Sequence, residues 1–247
     1  MLQELWNGGP VFREEDGVQR VGADSVLLAD FAVKSNLKNK KRAADLGCGS
    51  GIISVLLGIK EPGLLVDAVE LRHGAAELAR ENAGLAGLSD RINVIEGDIR
   101  RHRSFMQSGA YDLAVSNPPY NPHGGGKSHS NPGLASARDD GQCTPGDLCR
   151  AASYLVRWGG SFLIVHKPER LAVIFRALSA NGFEPKRVRF VQHAASSPPN
   201  LVLIESRRGG KPSLAVEAPL ILTNADGSDS DEVRSIYRIC GNVKKRD

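Results

Sequence analysis

This sequence has no apolar run near the ~20 residues that a membrane-spanning helix needs, which excludes a helical membrane protein. Residues 1–10 show neither a basic lead nor an apolar core segment, so no secretory signal is read there and a cytoplasmic protein is expected. Cysteine is sparse. Cys48, Cys143, Cys149 and Cys240 show none of the CxxC pairing of a zinc site, and free reduced thiols are expected. His123, His129 and His166 fall into no ligand pattern, so no metal is expected. No internal repeat is visible either. What remains is ordinary globular composition, 41% hydrophobic and 24% charged, which argues against wholesale disorder. A chain of 247 residues suits one α/β domain. It buries roughly 70% of the surface its unfolded form exposes, without help from disulfides or metals.

The net charge is +4, with basic residues dense at 38–42, 100–103, 186–189, 207–211 and 244–246. That balance is compatible with an RNA partner, and solvated loop charges explain it nearly as well.

Along the chain, residues 11–13 and 19–21 flank Glu14-Glu15-Asp16-Gly17, which predicts a hairpin closed by an Asp-Gly turn. A helix is expected from Asp24, with Asp24 as its cap and with Val26, Leu27, Leu28, Phe31 and Ala32 on one side. Strands are then expected at 43–46, 64–71, 92–96, 111–116, 161–166, 187–192 and 201–205. Helices are expected at 52–59, 73–86 and 169–180, and a short one at 232–239. The alternation predicts an α/β fold, a Rossmann-like, seven-stranded, mostly parallel sheet with helices on both faces. The last two strands are joined too tightly for a crossover, so they should be antiparallel. The expected organisation is an N-terminal hairpin and helix over 1–41, a core over 42–222 and a C-terminal extension over 223–247. Two long loops after strand ends, 117–146 and 194–200, read as functional.

The strongest local signal is Asp45-Leu46-Gly47-Cys48-Gly49-Ser50-Gly51, between a strand and a helix. Gly47 and Gly49 let the backbone turn tightly against a ligand, and Gly51 lets the helix pack close to the sheet. Such a turn alone could hold a dinucleotide pyrophosphate. Asp45 would repel a pyrophosphate, yet it suits the cationic amino group of S-adenosyl-L-methionine. Glu70, ending the second core strand, can accept from both ribose hydroxyls. Asp98, ending the third, is placed for the adenine amino group, with Ile99 against the ring.

The fourth strand ends in Ser116-Asn117-Pro118-Pro119-Tyr120. Two prolines keep the backbone extended and remove two N–H donors, leaving carbonyls as fixed acceptors. A conjugated amine is a weak nucleophile because its lone pair is delocalised. Acceptors at the Asn117 side chain and the Pro118 carbonyl would hold its two hydrogens and draw the nitrogen towards tetrahedral geometry. Asn117 also borders the cofactor, and Tyr120 offers a flat face for stacking.

The three acids at successive strand ends make the chain resemble the class I S-adenosylmethionine-dependent methyltransferases over roughly residues 42–205. Asn117-Pro118-Pro119-Tyr120 is similar to the motif of amino-group methyltransferases, whose substrates are adenine N6, cytosine N4, guanine N2 and glutamine amides. Residues 19–29, Asn131-Pro132, Ala135-Ser136-Ala137-Arg138, residues 199–203 and residues 232–237 look like the bacterial tRNA1(Val) adenine N6-methyltransferase family. That family continues with His-Glu after the arginine, where this chain has Asp139-Asp140. The resemblance implies tRNA as partner, with Lys127 and Arg138 near its phosphates. Competing readings are a glutamine-amide methyltransferase of a release-factor-like protein and an rRNA guanine N2-methyltransferase. A cofactor-sensing RNA-binding module without catalysis is the non-enzymatic reading.

Overall fold

The computed structural model describes residues 1–6, 8–14, 22–35, 41–120 and 143–239. Its strands are β1 (Leu2–Glu4), β2 (Val11–Arg13), β3 (Arg42–Leu46), β4 (Leu65–Glu70), β5 (Ile92–Glu96) and β6 (Tyr111–Ser116). They continue with β7 (Val156–His166), β8 (Phe183–Gln192), β9 (Pro199–Arg208), β10 (Ala215–Val216) and β11 (Leu220–Ile221). Helices are α1 (Ala23–Val33), α2 (Ile52–Lys60), α3 (His73–Leu85), α4 (Pro145–Leu155), α5 (Leu171–Ala180) and α6 (Asp231–Ile239).

The main sheet runs in the order β10-β8-β9-β7-β6-β3-β4-β5, with β11 also pairing β8. Pairs β5–β4, β4–β3, β3–β6 and β6–β7 are parallel. Pairs β7–β9 and β9–β8 are antiparallel, the second as the short connection predicts. The sheet therefore has nine strands where seven were expected; the additions, β10 and β11, are two residues each. Strands that short carry no periodicity to read.

Helices cover both faces. Leu28, Val55, Leu56, Ala79 and Ala83 belong to one apolar cluster, with Val66, Leu113 and Leu203 from the sheet. Leu148, Ala152, Ile174 and Leu178 pack on the other face against Ala44, Phe162 and Ile204. The reversal of side-chain direction at each strand residue divides the two sets.

Several local expectations change. Strand β2 pairs with β1 (Leu2 opposite Arg13), while the Asp16-Gly17 turn and residues 19–21 lie outside the described residues. Residues 25–32 of α1 are all buried, so the helix is enclosed on every side instead of being amphipathic. It touches α2, β7, β9 and α6. The α1 cap is Gly22, without a side-chain cap bond, and Asp24 falls in the first turn. The region expected as loop up to residue 146 already holds the start of α4. There Thr144 Oγ1 accepts from Asp147 N–H, and the Asp147 carboxylate accepts from Thr144 N–H, a reciprocal cap with Pro145 behind it.

Candidate active site

Strands β6, β3, β4 and β5 are neighbours in the sheet, so the residues at their carboxyl ends line one edge in that order. Asn117 follows β6, Asp45 lies in β3, Glu70 ends β4 and Asp98 follows β5. With strands ~4.8 Å apart, this edge spans about 14 Å, the length of an extended adenosine-amino-acid conjugate. Ser116 Oγ donates to the Leu46 carbonyl at 2.7 Å and ties the β6 end to the glycine turn.

The turn is held by hydrogen bonds within the protein. Gly47 N–H and Cys48 N–H donate to the Val69 carbonyl at 2.9 and 3.0 Å, and Gly49 N–H donates to Glu70 Oε2 at 3.0 Å. Gly49 has φ +56°, and a Cβ added there would point into open space, where a ligand can approach the backbone. Ile99 Cδ1 lies 3.9 Å from the position of a Cβ on Gly47, so the two share a wall.

Glu70 is buried, with Oε1 accepting from Arg72 N–H at 3.0 Å. Arg72 Nε also donates to Oε1 at 3.4 Å. A carboxylate has about four lone-pair sites, so one site remains for a hydroxyl donor after these three bonds. Asp98 caps the short turn Ile99–Ser104 by accepting from Arg100 N–H at 2.9 Å. It also takes a two-pronged ion pair from Arg100, at 3.0 Å to Nε and 2.7 Å to a terminal nitrogen. That hydrogen bonding from Arg100 holds its carboxyl below the usual range. An amine donor at Asp98 would share the carboxylate with this guanidinium.

Asp45 is fully buried, so its carboxylate meets a ligand only if the atoms over it shift. Oδ2 accepts from Ser54 Oγ at 2.7 Å, whereas Oδ1 is buried without a hydrogen-bond partner. Burial pushes its carboxyl from 3.8 up to about 7, with Ser54 opposing and the Glu70 charge adding. An orphaned acceptor beneath a glycine turn suits a cation placed above it. The same burial, with the charges of Asp45 and Glu70, keeps the Cys48 thiol protonated.

The motif after β6 is held from the other end of the chain. Asn117 is buried, and its Nδ2 donates to Ser25 Oγ at 2.9 Å. Tyr120 Oη lies 2.5 Å from Asp24 Oδ2 and 3.1 Å from Asn117 Oδ1. Burial and the Asp24 charge raise the phenol far above its ordinary value, so it stays a donor. The Tyr120 ring sits 5.4 Å from the His166 ring, with Lys167 Nζ 5.2 Å from its centroid. His166 Nδ1 accepts from Lys167 N–H at 2.8 Å, so the ring proton rests on Nε2. Burial lowers the pKa of His166 and keeps it neutral.

Asn117, Tyr120, Asp45, Glu70, Asp98 and Ile99 thus share one sheet edge. Lys127, Arg138, His123 and His129 lie outside the described residues. Asp24 and Ser25 were missed as site residues because a Ser or Asp at a helix start reads as a cap. Among the described residues, no group of His, Cys, Asp and Glu could hold a metal ion, and no helix is long and apolar enough to cross a membrane.

A mostly parallel sheet in this strand order, closed by an antiparallel pair and covered by helices on both faces, is the class I methyltransferase fold. The model of the methyltransferase small domain matches residues 18–170, more than half of the sequence, and the chain belongs to that family. A protein of Aeromonas hydrophila named tRNA1(Val) (adenine(37)-N6)-methyltransferase is 34% identical over 215 residues, 86% of each chain. One of the same name from Dickeya chrysanthemi is 31% identical over 245 residues, 95% of this chain and 94% of that one. Among solved structures, a protein of Agrobacterium tumefaciens described as a predicted O-methyltransferase superposes with TM-score 0.69 at 22% identity, covering 87% of this chain and 95% of the other. Geranyl diphosphate C-methyltransferase from Streptomyces coelicolor gives TM-score 0.54 at 14% identity over 74% and 80%. These two likenesses concern the fold.

Proposed function

We propose that this chain transfers a methyl group from S-adenosyl-L-methionine to the N6 amino group of an adenine in tRNA. The observation that carries the reading is Asn117 Oδ1. It stands at the β6 end beside the glycine turn and, among the described residues, its near donor is the Tyr120 hydroxyl, which lies closer to Asp24. The names of the relatives supply the substrate class.

When bound, the cofactor supplies an electrophilic methyl group. Everything else falls to the protein. Glu70 would accept from the ribose, Ile99 would pack on the adenine ring and Asp98 would accept from its amino group. Asp45, beneath the turn, would hold the cofactor's ammonium through its charge, and that cation would favour its ionised form. Asn117 Oδ1 and the Pro118 carbonyl take the two hydrogens of the substrate amine, so its lone pair turns out of conjugation and towards the methyl. Neither acceptor is a base strong enough to keep a proton, so the product's surplus proton leaves to water. The target adenine has to leave its stack to reach this edge, and Tyr120 offers it a face. Lys127 and Arg138 are proposed phosphate contacts.

The test mixes the protein with labelled cofactor and unmodified bulk tRNA, release factor or ribosomal subunits. Label confined to N6-methyladenosine of tRNA is expected, and label in a protein glutamine or in rRNA guanine would overturn the substrate. Asn117→Ala is expected to lose about 100-fold or more in turnover, with cofactor affinity little changed in calorimetry. Near-normal turnover in that variant would sink the acceptor geometry.

A further inference from the structure

We propose that Asp24 and Ser25, in the first turn of α1, are positioning residues that fix the Asn117 amide and the Tyr120 ring for the acceptor amine. The inference rests on the amine-methylation reading and names what that site requires beyond its own motif.

A primary amide has two ends of nearly equal size, and only the oxygen end accepts an amine hydrogen. Rotation by half a turn would present a donor to a donor. Ser25 Oγ, 2.9 Å from Asn117 Nδ2, engages the nitrogen end and so fixes which way the oxygen end faces. Tyr120 then poses a second problem, because its hydroxyl is 3.1 Å from that oxygen and could occupy it. A hydroxyl has one proton to give. Asp24 Oδ2, charged and only 2.5 Å away, takes it and leaves the Asn117 oxygen open.

Asp24 is itself held in place. Its Oδ1 accepts from Ser25 N–H at 2.9 Å, and a side chain at Gly22 would collide with that oxygen. Ser25 is buried and Tyr120 half-buried, so little water competes for these bonds. The contacts join residues 92 and 96 positions apart, which makes α1 part of the acceptor site and more than a cover for the sheet.

The test is a double-mutant cycle of Asp24→Asn and Tyr120→Phe, read by single-turnover methylation and by cofactor binding. Each single variant should lose about tenfold in turnover with cofactor affinity within about twofold, and the double variant should be no slower than the slower single. Losses that multiply, about 100-fold in the double, would show that Asp24 does not act through the hydroxyl, and would overturn the inference. Should Asp24→Asn fail to fold, Tyr120→Phe removes the same bond from its other end. A second readout needs no substrate. The Asn117 side-chain amide resonances should be sharp in the wild type and shifted or broadened in Ser25→Ala and Asp24→Asn. Unchanged resonances in both would overturn the inference whatever amine is methylated. A wild type that makes no N6-methyladenosine but shows the resonance changes would overturn only the adenine reading.

Discussion

Asp45 sets stability against cofactor binding. Its carboxyl titrates at about 7 in the fold against 3.8 ordinarily, so ionisation is harder in the folded chain than in the unfolded one. Below about pH 4 the group is protonated in both states and costs the fold nothing. As pH rises towards 7 the unfolded chain ionises first, so the fold loses stability, and above about pH 7 the loss is complete. Replacing Asp45 by Asn keeps an acceptor for Ser54 and removes the charge. The cofactor-free Asp45→Asn variant should therefore melt several degrees higher than the wild type at pH 8, with no gain at pH 4, in thermal scans. Cofactor binding should run the other way. A cation above the turn favours the ionised carboxylate, so binding at pH 6 should release a proton, up to one per site. Calorimetry in buffers of different ionisation enthalpy would read that release, and none at all would deny Asp45 its role at the ammonium.

At the scale of elements, the glycine turn divides two duties between neighbouring positions. Gly51 has φ +80°, and a Cβ there would lie 3.1 Å from Ala79 Cβ and 3.2 Å from Ala79 Cα. That is the contact that brings α2 against α3. Gly49, at φ +56°, faces open space. Gly51→Ala should cost about 1–3 kcal/mol in urea unfolding through overpacking and left-handed strain. Gly49→Ala should cost stability about 1 kcal/mol and cofactor affinity about tenfold or more, since its methyl fills the ligand's approach. Equal effects of the two substitutions on both measurements would refute the division.

The same scale shows what could be read in advance. The glycine spacing, the acids at strand ends and the Pro-Pro motif were legible because each is local. Helix α4 was overlooked although Thr144-Pro145-Gly146-Asp147 carries a start signal, the reciprocal cap with proline behind it. It followed directly on a stretch read as loop, and the loop reading was carried through. Asp24 was legible as polar at a helix start, but its partner is not in the sequence nearby. A helix cap and a tether to a distant phenol look the same until the fold brings β6 alongside α1.

For the whole molecule, the seven principal strands follow from alternation, while their order in the sheet and the ties between the chain's two ends do not. Arg187 of β8 donates to the Phe31 carbonyl at 2.7 Å, lies 3.9 Å from that ring's centroid and sits 3.0 Å from Glu205. Arg189 grips Glu232 of α6 at 2.6 and 2.7 Å. The first pair joins the first helix to β8, the second joins β8 to the last helix, and no local pattern announces either.

The placement of β9 between β7 and β8 has a consequence for incomplete chains. Strand β8 is made before its long neighbour β9 exists, and β7 meets β9 along six residue pairs from Ser161 to His166. A polypeptide halted at Gln192 would carry β7 as a bare, apolar ribbon, with Phe162, Ile164 and Val165 and a row of unfilled backbone donors and acceptors. Its soluble yield should fall severalfold below that of the full chain, with light scattering reporting self-association. A monodisperse fragment would mean that something other than β9 shields that ribbon. Quality control in the cell would then judge this protein by whether its last long strand has arrived.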